Sequence, residues 1–269
     1  MKQLFMEIAS PVYQLLKSKE YREFIRLIVL FGNSPRYSSR RIRFLRYQFF
    51  VPDCASFIWQ FREIFFEQTY KFTADRPDPV IYDCGANIGT SCLYFKTLYP
   101  NARIKAFEAD PNIFAAFQKN MKDNNILDIE VFDKAVWHSS GKVRFGVDGA
   151  DGGAIDQTDG AIIQVETIRL GEWLAKEEQV DLLKIDIEGA EYEVILDCRD
   201  ALKKVRNLFI EYHSRSHREQ KLDQILALLT RIGFRYYLQN VDTRKYPFVN
   251  RGRELKMDLQ VNIFAYRES

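Results

Sequence analysis

Cysteine is sparse in this chain and never paired in sequence. The four residues Cys54, Cys84, Cys92 and Cys198 contain no C-x-x-C spacing, which excludes the usual zinc-binding frameworks. A thiol inside an apolar run, as at Cys84, behaves as a small hydrophobe, and the usage suits a reducing cytoplasm. Charge of one sign is also lacking. Lys and Arg number 39 against 37 Asp and Glu, a net +2, too little for bulk attraction to nucleic acid. The one basic run, Arg36, Arg40, Arg41, Arg43 and Arg46, reads as a solvated connection. Long apolar runs are missing too. The longest, 24–31, contains Arg26 and is too short to span a bilayer, and Met1 to Ser10 lacks a secretory pattern. No internal repeat or low-complexity tract is present.

What remains is an ordinary globular balance, 46% hydrophobic and 28% charged. Residues 1–78 read as a helical, irregular extension. Phe57, Phe61, Ile64 and Phe65 recur at helical spacing, which predicts an amphipathic helix over 56–68, with Tyr70 and Phe72 just beyond, packed as a lid over the site. The stretch Asp75-Arg76-Pro77-Asp78-Pro79 then breaks the pattern. From 79 to 269 strand-like and helix-like segments alternate: strands over 80–84, 103–107, 129–132, 182–187 and 208–212, and helices over 88–99, 111–124, 190 onward and 222–232. Two extra strands flank a Gly- and Asp-rich loop over 148–160, and a short helix covers 170–177. The final strands, 234–238 and 259–266, have no helix between them and are expected to pair as a hairpin. The fold class is α/β: a Rossmann-like, doubly wound, mostly parallel sheet with one antiparallel strand, plus the N-terminal extension.

Four motifs carry chemistry. Asp83-Cys84-Gly85-Ala86-Asn87-Ile88-Gly89 follows the first strand and opens a helix. Glycines there allow a tight turn and a close approach of backbone to ligand. Asn87 replaces the second glycine of G-x-G-x-x-G, which counts against an NAD dehydrogenase. A carboxylate at Asp83 suits a cationic ligand such as the α-ammonium of S-adenosylmethionine. Glu108, in Phe107-Glu108-Ala109-Asp110-Pro111, ends the second strand, where an acid accepts hydrogen bonds from ribose hydroxyls. In Lys184-Ile185-Asp186-Ile187-Glu188-Gly189-Ala190-Glu191, three carboxylates crowd the end of strand four. Glu211-Tyr212-His213 ends strand five, and a histidine there could take a proton from a hydroxyl. His138 and His217 have weaker claims.

In this order and spacing the motifs resemble the FkbM family of methyltransferases over roughly residues 57–240, although the family commonly has proline where Ala109 stands. The resemblance implies a Rossmann-like sheet, S-adenosylmethionine as methyl donor, and most often an oxygen acceptor on a sugar or polyketide. It also implies that Asp83, Gly85, Asn87 and Gly89 surround the methionine part and that Glu108 holds the ribose. Ala86, Ala109, Asp133 and Asp186 complete the candidate cofactor set, and His213, Asp186 and Glu211 are the candidate catalytic residues. The expected function is O-methylation of a hydroxyl on a glycan or other natural product, in the cytoplasm, without nucleic acid. N-methylation of a peptide amide and a non-catalytic nucleotide-binding role stay open, as does a homo-oligomer. No metal ligands are assigned, although Mg²⁺ on Asp186, Glu188 and Glu211 is left open.

Overall fold

Alternation and helical spacing both hold in the extension, in different places. The computed structural model describes residues 17–147, 153–155, 161–241, 244–250 and 257–267. The first ten residues and most of the Gly- and Asp-rich stretch 148–160 lie outside them. Helix α1, Lys19–Phe31, starts at Ser18, whose hydroxyl accepts the N–H of Tyr21 at 3.0 Å, and turns Phe24 and Leu27 inward. Strands β1, Arg40–Phe44, and β2, Tyr47–Val51, form an antiparallel hairpin. This hairpin is an addition to the helical, irregular reading of the region. Its arginines mask a period of two: Ile42 and Phe44 are buried while Arg41 and Arg43 face out.

Helix α2, Cys54–Phe61, is capped by the Asp53 carboxylate, which accepts the N–H of Ser56 at 2.9 Å, and runs into a π-helical turn, Arg62–Phe66. The phenyl ring of Phe44 lies 5.1–5.9 Å from those of Phe49, Phe57, Phe61 and Phe65. Edge-on pairs of this kind contribute about 0.5–1.5 kcal/mol each beyond simple burial. Phe65 in turn meets Tyr94 at 5.4 Å, so the extension is welded to the body by aromatic packing.

The body begins at β3, Val80–Cys84, buried at every position. Helix α3, Thr90–Leu98, leads to β4, Arg103–Phe107, and α4, Pro111–Asp123, leads to β5, Ile129–Phe132. Pro111 sits in the first turn of α4, where its missing N–H costs nothing. A side sheet follows, built from β6, Ala135–Trp137, β7, Gly141–Val147, β8, Ala154–Ile155, and β9, Ala161–Arg169, in the order β6-β9-β7-β8. The short α5, Leu170–Leu174, precedes β10, Val180–Ile185; α6, Glu191–Asp197, precedes β11, Val205–Arg215. Finally come α7, Leu222–Arg231, β12, Arg235–Asn240, and β13, Met257–Tyr266.

The main sheet has the order β12-β13-β11-β10-β3-β4-β5. Only β13 runs against its neighbours; the other pairings in this sheet are parallel. One face packs on the extension, α3 and α4; the other packs on α5, α6 and α7. The chain winds away in opposite directions from β3 and β10, so the topological switch lies between them, and ligands in such sheets bind beyond that point. No helix among the described residues is long and apolar enough to cross a membrane.

Candidate active site

The turn after β3 is tied down from two sides. The N–H groups of Gly85 and Ala86 both donate to the carbonyl of Phe107 at 3.0 Å. Lys184 Nζ donates to the carbonyl of Gly85 at 2.9 Å from the neighbouring strand β10. Gly85 has φ +81°, and a Cβ there would meet the carbonyl oxygen of Asp186 at 1.8 Å, so only glycine fits. Asn87 follows with φ +49°, its side-chain Oδ1 accepting the N–H of Ile88 at 2.7 Å.

Above this turn lies a cavity of about 300 Å³ at the carboxyl ends of the parallel strands. Gly85, Ala86, Asn87, Glu108, Ala109 and Asp186 line it, as does Glu211. Three expected cofactor residues do not. Asp83 is fully buried beneath α3: Ser91 and Cys92 donate to its Oδ2, and Lys184 Nζ lies 3.3 Å from its Oδ1. The pleat of β3 directs this side chain into the sheet–helix layer, where it meets Lys184, whose Nζ also donates to the glycine turn, and not the cavity lining. Gly89, at φ +90°, is the N-cap of α3, and a Cβ there would strike Phe117 and Met121 of α4; its smallness serves helix packing. Asp133 is exposed, and the neighbours Lys134, Ala135 and Val136 line the cavity in its place.

Glu108 ends β4 with both oxygens in use. Oε2 accepts the N–H of Asn87 and Oε1 that of Asp110, each at 2.9 Å. Burial pushes its carboxyl up to about 7 despite these two donors. A carboxylate so fixed keeps lone pairs for further donors, as a ribose diol requires. Together with the glycine turn and the cavity's size, this fits the adenosine and methionine parts of S-adenosylmethionine.

The opposite end of the cavity is acidic. Asp186, Glu188 and Glu211 line it from the ends of β10 and β11, and Glu63 reaches it from the π-helical turn. Burial and the charges of Glu211 and Asp186 raise Glu63 to about 8. Burial and Glu211 raise Asp186 to about 6, and burial raises Glu188 to about 8. Glu211 goes the other way: burial opposes its ionisation, but the hydrogen bond and charge of His213 win.

His213 itself is not among the residues lining the cavity. Its ring is 1% exposed and stands behind the carboxylates, with Nδ1 3.0 Å from Glu191 Oε1 and Nε2 3.5 Å from Glu211 Oε1. Burial disfavours its charge, yet Glu188 and Glu191 hold it well above the ordinary histidine range. The ring therefore meets the cavity only through the carboxylates in front of it, Glu188 and Glu211. His138 and His217 are both exposed.

Several lining residues carried no sequence signal: Trp59 and Gln60 of α2, Phe145 and Ile155 of the side sheet, and Gln260 of β13; Glu63 lines it too, from a segment, Glu63-Ile64-Phe65, that resembles what precedes the first motif in the family. Of the residues that helical spacing picked out, Ile64 lines the cavity, as does Tyr70 just beyond, while Ser56, Trp59 and Gln60 reach it from the other side of α2. Phe145 and Ile155 reach it through a sheet whose pairing is not legible locally.

Comparison with known proteins agrees with this geometry. Residues 83–236, more than half of the chain, match the Methyltransferase FkbM domain. The 2-O-methyltransferase NoeI of Sinorhizobium fredii is 32% identical over 169 residues, covering 55% of this chain and 69% of that protein. The hexuronic acid methyltransferase AglP of Haloferax volcanii is 28% identical over 165 residues, covering 58% and 66%. The crystal structure of the methyltransferase FkbM from Methylobacillus flagellatus superposes with a TM-score of 0.50 at 18% identity, over 76% of this chain and 47% of that one, a likeness of fold over less than half of that protein. The chain belongs to the FkbM family of S-adenosylmethionine-dependent methyltransferases.

Proposed function

We propose that the protein transfers a methyl group to a hydroxyl oxygen of a glycan or related natural product, acting in the cytoplasm. The observation that carries this reading is the pairing, in one cavity, of Glu108 at the adenosine end with Asp186, Glu188 and Glu211 at the other. S-adenosylmethionine supplies an activated methyl on its sulfonium. The residues of the chain bind, align and take up a proton. The glycine turn holds the methionine part, with Lys184 bracing the carbonyl of Gly85. The carboxylates orient the acceptor hydroxyl and take its proton as oxygen attacks, Asp186 first, since it is the most open of the three, at 26% side-chain exposure. Trp59 and Gln60 of α2 wall the acceptor side, as expected of a segment that covers the site. The acceptor class draws on the printed activities of NoeI and AglP, which methylate a 2-hydroxyl and a hexuronic acid respectively by name.

The test is a methyl-transfer assay with labelled S-adenosylmethionine against three acceptor panels: hexuronate-containing oligosaccharides, hydroxylated polyketides and N-terminal or backbone-amide peptides. Labelled glycan with base-stable, oxygen-bound methyl is the expected product. Label on peptide nitrogen alone would replace the O-methyl reading.

A further inference from the structure

His213 is oriented by a partner it does not share with the cavity. Oε1 of Glu191 lies 3.0 Å from His213 Nδ1 and also accepts the backbone N–H groups of Gly189 at 2.9 Å and Ile187 at 3.3 Å. An acceptor so engaged leaves Nδ1 as the donor and turns Nε2 toward the carboxylates. Nε2 stands 3.5 Å from Glu211 Oε1, 3.8 Å from Glu188 Oε1 and 3.3 Å from the side-chain amide nitrogen of Gln260, which also donates to Glu211 Oε1 and would have to give way to an ion. This is the carboxylate–histidine arrangement that fixes metal-ligating imidazoles from behind. One donor atom from each of Asp186, Glu211 and His213 lies within 4.8 Å of the other two. Donors about 2.1 Å from an octahedral ion stand roughly 3–4.2 Å apart, so closing the set needs only a slight contraction.

Two further observations on other elements point the same way. Asn262 of β13 pairs directly with Glu211 of β11, and so its side chain shares that face of the sheet. It is 5% exposed, and its Oδ1 has no hydrogen-bond partner among the described residues. From the facing wall, the Glu63 carboxyl likewise has no hydrogen bond or ion pair there, although Asp186 and Glu211 act on it electrostatically.

We propose that Asp186, Glu211 and His213 bind one divalent metal ion at the acceptor end of the cavity, with Glu191 as the residue that orients His213. Two carboxylates and one imidazole suit Mn²⁺ better than Mg²⁺, which prefers an all-oxygen shell. Three protein ligands leave open positions toward the cavity for water or acceptor oxygen. The proposal rests on the methyl-transfer reading only in naming that end as the acceptor's.

Mn²⁺ titrated into chelator-stripped full-length protein, without S-adenosylmethionine or acceptor, tests it through the electron paramagnetic resonance signal of free Mn²⁺. One bound ion per chain is expected, with micromolar affinity and weaker competition by Mg²⁺. Glu211→Gln and Asp186→Asn should each weaken binding at least about tenfold, and Glu191→Gln by about 10–100-fold, the usual effect of removing such an orienting partner. Circular dichroism and thermal melts certify each variant; where one does not fold, Asp186→Asn, on the partly exposed carboxylate, decides. Absence of saturable binding, or unchanged binding in the folded variants, would overturn the site. S-adenosylmethionine calorimetry on the same samples separates the two readings: Mn²⁺ bound without cofactor affinity refutes the methyltransferase reading and supports the site, while the reverse refutes the site alone.

Discussion

The carbonyl oxygen of Asp186 occupies the space where Gly85 would carry a side chain, 1.8 Å from an added Cβ. The turn after β3 and the acidic end of β10 are therefore in backbone contact. Gly85→Ala combines this clash with a left-handed φ and is expected to destabilise the protein by at least about 3 kcal/mol. Urea denaturation measures it, and a loss under 1 kcal/mol would mean the turn can relax.

Glu108 links cofactor affinity to pH. Its carboxyl sits at about 7 because of burial, and ribose hydroxyls require the ionised form. Affinity for S-adenosylmethionine should thus rise from pH 6 to pH 8 and level off above. The sign for stability without ligand is opposite: a raised carboxyl stabilises below its ordinary range and loses that contribution as pH climbs toward 7. Glu108→Gln should weaken binding by about 1.5–3 kcal/mol and flatten the pH profile. Calorimetry at several pH values tests both, and a profile with the same slope in the variant would assign the effect elsewhere.

Lys184 is 3% exposed and lies 3.3 Å from Asp83 and 3.4 Å from Asp186. Lys184→Met removes the cation but leaves Asp83 buried and charged. A cost of about 3–5 kcal/mol is expected, the range for stranding one member of a buried pair. Lys184→Met with Asp83→Asn should recover part of it, and a double-mutant cycle reads the coupling.

Phe61 and Trp59 stand two residues apart on α2 with opposite fates. Phe61 is 0% exposed within the phenyl cluster, and Phe61→Ala should cost about 3–5 kcal/mol. Trp59 is 59% exposed at the cavity edge, and Trp59→Ala should change the melting temperature little while raising KM for acceptor. Equal loss of stability in both would mean that Trp59 belongs to the core.

Asp186→Asn should lower turnover per folded molecule by about 10²–10⁴-fold, the usual contribution of a proton acceptor, with cofactor affinity nearly kept. Steady-state kinetics with the acceptor found by the panel assay decide. A near-normal kcat would pass the role to Glu188.

Much of this was legible in the sequence, and the failures have physical causes. Strands β3, β4 and β5 end where their short apolar runs end. The closing hairpin followed from the absence of a helix between its strands, and β13 is indeed the antiparallel member. The hairpin of β1 and β2 was hidden because arginines fill its outward positions. Asp83 was placed at the ligand because strand ends usually face ligands; the pleat turned it under α3 instead. His213 lies at the right strand end, but three glutamates from two separate segments decide its protonation, and no local pattern reports that.

The phenyl cluster also constrains traffic. Swinging α2 outward would bring Phe57, Phe61 and Phe65 into water, at roughly 1.5–3 kcal/mol per ring, an excursion rarer than product release in an ordinary catalytic cycle would need. The helix is therefore a fixed wall of the cavity, and the apolar cluster behind it ties the shape of the acceptor side to the stability of the whole extension.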